Sequence, residues 1–352
     1  MVDLLTIASN LLLFSLVFGM SATVEIRSVR SQLRNYKALA TGMFCQFLVL
    51  PMLGFIMVKT LTLSHAVGLT LLIVTSSPGG SYSNWFASLF NADLALSVSM
   101  TAISTFLSIV MLPVNLLIYT TLAYNDDVVS NLEWAPLLSA LALVITAISA
   151  GLYCSAKSQS DSFKQMANRL GNASGLCLIL FSATMTNSGD ADSKIWARDW
   201  SFYVAVLIPC VGGVILANII AASINLKPPE RMTVAIECCY QNVGIGTSLA
   251  LTMFQGVELT EAMGVPFMYG LAEGAVVAIY CIVSWKLGWT KAPADAPFWE
   301  VILTSYEVLM DQHEVDQIEV SNASDGKQTK KESVSGHTLN TYFSMDNNEA
   351  VV

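Results

Sequence analysis

A carboxylate at Glu237 lies in the run Val234-Ala-Ile-Glu-Cys-Cys-Tyr-Gln-Asn-Val-Gly-Ile-Gly-Thr-Ser-Leu249, which otherwise reads as membrane-embedded. A lone carboxylate at the bilayer centre costs about 3 kcal/mol even on the gentlest insertion scale. No Lys, Arg or His lies between Arg231 and Lys286 to neutralise it. A bound cation is the economical counter-charge, and Gln241, Asn242 and Thr247 bring further oxygen atoms close in sequence. A second oxygen-rich set follows Asp93, where Ser97, Thr101 and Thr105 recur every four residues and therefore share one helix face. In isolation such hydroxyls bond their own backbone or a neighbouring helix. Beside Asn84 and Glu237 they supply what a sodium ion takes, about five or six hard oxygens from hydroxyls, amides, carbonyls and a carboxylate, with no need of His or Cys.

The elements that must hold these residues are membrane helices. The chain is 54% hydrophobic and only 12% charged, with a mean hydropathy of +0.58; soluble domains carry about 25% charged residues. Apolar runs long enough to cross a hydrocarbon core of about 30 Å read near 4–24, 36–58, 66–90, 94–124, 134–154, 170–187, 200–224, 231–254 and 262–287. The first run lacks a basic leader and a cleavage site, so it is read as a retained span. Arg27, Arg30, Arg34 and Lys37, then Lys157, Lys164 and Arg169, then Lys227 and Arg231, then Lys286 and Lys291 fall on one side. The other side carries Lys59, Lys194 and Arg198 beside Asp126, Asp127, Asp190 and Asp192. The positive-inside rule then puts the N-terminus outside and the C-terminus in the cytosol. Residues 288–352 form a tail, with a short interfacial helix expected from Phe298 and a polar, disordered remainder beyond Asp311. The formal charge of −9 gives no nucleic-acid signal, because acidic residues beyond Trp289 outnumber the lysines there.

Two spans are interrupted. Pro78-Gly-Gly-Ser-Tyr-Ser-Asn84 breaks the third: proline removes a helical hydrogen bond and the glycines weaken the next turn. Glu237 to Gly244 breaks the eighth. Such breaks survive at membrane depth only where their freed backbone groups meet protein, water or a ligand. The stretches 36–124 and 200–287 are almost equal in length, each with three spans and the break in the middle one. That spacing predicts an inverted repeat whose two discontinuous helices cross near the midplane.

The combination Pro78-Gly-Gly…Ser83-Asn84, Asp93…Ser97…Thr101…Ser104-Thr105 and Glu237…Gln241-Asn242 resembles the bile acid:sodium symporter family, over residues 10 to 287 and in its nine-span branch. The resemblance implies an all-α multi-pass membrane protein within residues 1–287. Its core domain would hold the spans at 36–124 and 200–287, and its panel domain those at 4–24, 134–154 and 170–187. It also implies a first sodium site of Ser83, Asn84, Ser97, Thr101 and Glu237. A second would use Gln46, Glu237, Gln241 and the carbonyls of Cys238 and Tyr240. Cys239 stands where the family usually has Gly, which puts the backbone of the second site in question. Glu273, in Leu271-Ala-Glu-Gly, receives no ion-binding role. With no basic residue at membrane depth, the anion would be held by helix N-termini and amides, with Asn242, Gly79 and Gly80 as its contacts.

Enzyme chemistry lacks its parts. The three histidines (His65, His313, His337) form no constellation, and no HExxH or GxSxG is present. The seven cysteines show no CxxC and read as small buried thiols. The sequence is thus read as a plasma-membrane symporter, without a cofactor, that couples two sodium ions to import of an organic anion. A bile acid, sulfated steroid or related amphipathic anion is expected. The alternative is a proton- or sodium-coupled carrier of a small carboxylate such as a 2-keto acid.

Overall fold

The computed structural model describes residues 4–23, 32–80, 82–124, 134–158, 160–187, 194–304 and 306. Arg27, Arg30, Asp126, Asp127, Asp190, Asp192 and the polar tail read beyond Asp311 lie outside the described residues. The described chain is almost entirely helical. In order come α1 (Leu4–Ala22), α2 (Tyr36–Thr60), α3 (His65–Thr75), α4 (Tyr82–Leu89), α5 (Leu94–Ala123) and α6 (Trp134–Lys157). They are followed by α7 (Asp161–Thr186), α8 (Trp200–Ser223), α9 (Pro228–Cys239), α10 (Val243–Met253), α11 (Gly256–Lys286) and α12 (Phe298–Leu303). Four helices, α2, α5, α8 and α11, are each long and apolar enough to cross a membrane.

Two helices begin well before their hydropathy runs. Hydropathy starts the sixth run at 170 and the ninth at 262, but α7 begins at Asp161 and α11 at Gly256. Hydropathy marks only the part of a helix that lipid must solvate. Polar first turns such as Asp161-Ser-Phe-Lys continue the backbone ladder beyond it. The outer surface is apolar: Phe106, Val110, Leu117, Leu176, Leu180, Ile215, Ile219, Leu271 and Ile279 are all exposed. A soluble protein hides most such area, so this belt is what a helical bundle in lipid presents.

The third and eighth runs are each two helices, as the interruptions predict. Residues 36–123 and 200–286 therefore share one order: long helix, two half-helices, long helix. Of the remaining helices, α1, α6 and α7 keep together, α1 packing against both α6 and α7, and this group meets the rest mainly through α10 and α11.

Prolines shape the long helices. Pro51 has no N–H to give the carbonyl four residues back, that of Phe47. The helix opens into a π turn over Cys45–Val49 just before it, and the freed Phe47 carbonyl accepts from Asn115 Nδ2 on α5 at 3.0 Å. The π turn is also what carries Gln46; such turns recur at functional positions.

Candidate functional site

The two breaks meet each other. Gly79 and Gln241 form an isolated antiparallel bridge. Gly80 N donates to the Tyr240 carbonyl at 3.0 Å and Asn242 N to the Pro78 carbonyl at 3.0 Å. The other freed groups find side chains: the Ser77 carbonyl accepts from Gln46 Nε2 at 2.7 Å, and the Cys238 carbonyl from Gln241 Nε2 at 2.8 Å. Gly79 N reaches Ser104 Oγ at 3.3 Å, and Gln241 N reaches Glu273 Oε2 at 2.8 Å. This pairing is how four helix ends are accommodated inside an apolar bundle. It needs glycine at both positions by approach distance, since a Cβ on Gly79 would lie 2.8 Å from Glu237 Oε2 and one on Gly80 2.7 Å from the Gln241 carbonyl.

Glu237, in the last turn of α9, is buried. Its Oε1 accepts a short hydrogen bond from Ser97 Oγ, and its Oε2 accepts from Thr101 Oγ1 at 2.9 Å. Asn84 Oδ1, from the first turn of α4, lies 2.8 Å from Ser97 Oγ and 3.3 Å from Thr101 Oγ1. Thr101 Oγ1 is also 3.1 Å from the Ser97 carbonyl. Each hydroxyl has one proton to give. Two protons thus face four acceptors: both Glu237 oxygens, Asn84 Oδ1 and the Ser97 carbonyl. Ser83 Oγ stands beside them and donates to the Gly80 carbonyl at 2.7 Å. This excess of buried lone pairs over protons, with no cationic side chain among the partners, is an arrangement whose oxygens a hard cation would satisfy.

Three helices bring this cluster together, and each is fixed locally. Asp93 caps α5, accepting from Leu96 N at 2.9 Å, as a short acidic side chain at an N-cap does. Its backbone is tied to α9 through Thr233 Oγ1, which accepts from Asp93 N at 3.0 Å and donates to the Asp93 carbonyl at 3.1 Å. Thr233 is one helical turn before Glu237, so the register of α5 against α9 is set next to the carboxylate.

The residues expected at a second site also converge. Gln46 Nε2 donates to Gln241 Oε1 at 2.8 Å as well as to the Ser77 carbonyl, and Gln241 Nε2 points at the Cys238 carbonyl. The Tyr240 carbonyl already accepts from Gly80 N, and the Glu237 carboxylate turns toward Ser97 and Thr101 instead. Cys239 is an ordinary helical residue: it ends α9 and is not among the residues with positive φ. The substitution of Cys for Gly therefore imposes no backbone strain there. Five cysteines, including Cys238 and Cys239, are buried and all seven are free thiols.

Two expected oxygen donors are not hydrogen-bonded to Glu237 or Asn84 and so are not brought into the cluster. Thr247 Oγ1 bonds the Val243 carbonyl at 3.0 Å and Thr105 Oγ1 the Thr101 carbonyl at 2.6 Å, the back-bonding that short hydroxyls adopt in membrane helices. Ser104, Glu273, Thr233 and Asn115 hold the site without having been singled out for it. Their signal was there, polar residues on otherwise apolar spans, but their partners are remote in sequence. Asn242 caps α10 through Oδ1, 3.3 Å from Ile245 N. Its Nδ2 reaches Met20 Sδ of α1 at 3.5 Å, a weak acceptor.

Comparison with known proteins places the chain among membrane transporters. The model of the Sodium Bile acid symporter family matches residues 10–193. The human ileal sodium/bile acid cotransporter is 27% identical over 290 residues, 82% of each chain. The bovine sodium-dependent organic anion transporter is 26% identical, over 76% of this chain and 70% of its own. The human hepatic sodium/bile acid cotransporter is 24% identical over 81% of each.

Proposed function

The chain belongs to the sodium bile acid symporter family, and from that premise we propose that it imports an organic anion by coupling it to inward sodium movement. The observation that carries the coupling ion is the surplus of acceptors at Glu237: four lone-pair donors and two protons in a buried pocket lined by three helices. Sodium would enter among Ser83, Asn84, Ser97, Thr101 and Glu237, replacing hydroxyl-to-carboxylate hydrogen bonds with ion–oxygen contacts. The hydroxyl protons would then rotate away to the Ser97 and Gly80 carbonyls. A second ion would lie among Gln46, Gln241, Glu237 and the carbonyls of Cys238 and Tyr240. That arrangement requires the Gln46–Gln241 amide pair to open and the Glu237 carboxylate to share its charge.

The anion is proposed to bind where the group α1, α6 and α7 faces the crossing. Asn242 supports this, because its Nδ2 is held by nothing stronger than a thioether, and the first turns of α4 and α10 supply N-terminal backbone amides at the same place. Gly79 and Gly80 belong to that crossing through their backbone. A bile acid, sulfated steroid or similar amphipathic anion is the proposed substrate class, as the names of the relatives suggest. We read nine spans, counting α3 with α4 and α9 with α10 as one each. The repeated order of helices at 36–123 and 200–286 supports an inverted repeat, with α1, α6 and α7 as a separate panel. The N-terminus would be outside and the C-terminus cytosolic, in the plasma membrane.

The test is uptake of a panel of labelled anions, bile acids, sulfated steroids and small carboxylates, in sodium against choline medium. Glu237→Gln preserves shape and removes the charge. A unit charge about 4 Å from a cation at an effective dielectric constant near 20 is worth about 4 kcal/mol, so sodium affinity should fall by about a thousandfold and uptake should vanish at ordinary sodium. Sodium-dependent accumulation by surface-expressed Glu237→Gln protein would defeat the proposal. Uptake driven by a pH gradient and indifferent to sodium would replace it with proton coupling.

A further inference from the structure

Asn91 lies in the turn between α4 and α5, at φ +55° and 3% exposed. Asparagine tolerates this left-handed conformation better than most side chains. All of its polar groups are used. Its N donates to the Ser88 carbonyl at 3.1 Å, and the other three bind a segment some two hundred residues downstream. Its carbonyl accepts from Lys291 N at 2.9 Å, its Nδ2 donates to the Val301 carbonyl at 2.9 Å, and its Oδ1 accepts from Tyr306 N at 2.9 Å. Residues 289–304 and Tyr306 are thereby folded back onto the helix ends. Val301 is 0% exposed and Ala292 3%. Phe298 packs between Phe90 and Trp285 at 6.4 and 6.1 Å, Trp285 Nε1 donates to the Pro293 carbonyl at 2.8 Å, and the Arg231 guanidinium at the start of α9 stacks on Trp289 at 4.1 Å.

The turn held in this way joins two of the helices that bear the oxygen cluster. Asn84 is on α4; Ser97 and Thr101 are on α5. Asp93, two residues beyond Asn91, is bonded to Thr233 on α9, the third such helix. We propose that Asn91 is a positioning residue for the first sodium site. Through it, residues 289–306 act as a strap that fixes α4 against α5 and so sets the spacing of Asn84 from Ser97 and Thr101. The proposal rests on the sodium reading of that site. It divides the C-terminal region in two: the strap to Tyr306 is part of the transporter body, and the residues beyond Tyr306 are not needed for ion binding.

Asn91→Gly keeps the left-handed backbone and removes only the side-chain bonds. With sodium titrated against uptake of a labelled bile acid, normalised to surface protein, it should raise half-saturating sodium about three- to tenfold, the equivalent of about one lost hydrogen bond. The substrate KM at saturating sodium should stay within about twofold. Truncation after Gly288 should give at least the same shift, and Asn91→Gly added to that truncation should add nothing, because the truncation already removes both side-chain bonds that the glycine deletes. Tyr306→Pro, which deletes the N–H that Asn91 accepts along with the phenol that reaches Glu300 Oε1 at 3.0 Å, should shift sodium in the same direction beyond any shift from Tyr306→Phe, which removes the hydroxyl and keeps the N–H. Sodium-dependent melting of the purified protein should show the same shift of midpoint without any substrate. An Asn91→Gly protein with wild-type sodium dependence overturns the proposal, as does one in which substrate KM and sodium change in parallel or one additive with the truncation. Wild-type uptake that ignores sodium would instead refute the sodium reading, and the strap proposal with it; that result is seen in the wild type, not in the variant.

Discussion

Thr101 offers the sharpest test of the oxygen cluster, because its shape and its hydroxyl can be separated. Its Oγ1 sits 2.9 Å from Glu237 Oε2, 3.3 Å from Asn84 Oδ1 and 3.1 Å from the Ser97 carbonyl. Thr101→Val keeps the branched volume on α5 and removes only that oxygen. A hydrogen-bond partner to a charged group is worth about 1.5–3 kcal/mol, and one ion ligand of about six is of similar size. Half-saturating sodium should therefore rise about 10- to 100-fold, with a smaller change in substrate KM. Thr101→Ser restores the oxygen and should return sodium dependence to within about threefold of wild type. Uptake of a labelled anion across a sodium titration, on protein counted at the cell surface, reads both. Valine without effect on sodium dependence would refute the argument. So would serine as damaging as valine, because the missing methyl and not the oxygen would then be the cause.

Two further outcomes concern the topology and the tail. Single cysteines at Asn131 and Ser160, in a background controlled for native thiols, should label from opposite sides with an impermeant reagent; Ser160→Cys labelled in intact cells would overturn the proposed orientation. Truncation after Met310 leaves every residue bonded to Asn91 in place, so turnover per surface molecule should persist, and a large loss would show that the polar segment serves transport itself.

How far the sequence carries can be judged residue by residue. The spans were legible because lipid imposes a long apolar run on each helix, and Glu237 was legible because nothing nearby in sequence neutralises it. Pro78-Gly-Gly announced a break, and the Gln-Asn pair after Glu237 announced another. That the two breaks bond each other, Gly80 to Tyr240 and Asn242 to Pro78, was not written in either. A break states only that backbone groups are freed, and many partners could take them. Thr247 and Thr105, which bond backbone carbonyls instead of the cluster, could not be placed for a related reason: a hydroxyl on a membrane helix has its own carbonyl within reach, and spacing alone does not say whether it looks inward or across. The boundaries of α7 and α11 were placed late because polar turns prolong a helix without leaving a hydropathy signal.

Pro51 shows the same division most clearly. Its sequence position fixes the defect, a Phe47 carbonyl without a donor, by a rule that involves four residues. The remedy is Asn115, 68 positions beyond Phe47 on another helix. The π turn that accommodates the defect also puts Gln46 against Ser77 and Gln241 at the crossing. The defect, its repair and the side chain proposed for the second ion are therefore one structure. The cost of breaking a membrane helix is local and can be read from the chain. The groups that offset it are distant, polar and few, and in this protein several of them, Gln46, Ser104, Gln241 and Glu273, bond the backbone of the crossing next to the helix that bears Glu237. Polar residues that a membrane helix tolerates poorly are thus concentrated where two broken helices need them, and the proposed sodium site draws on that same concentration of oxygens.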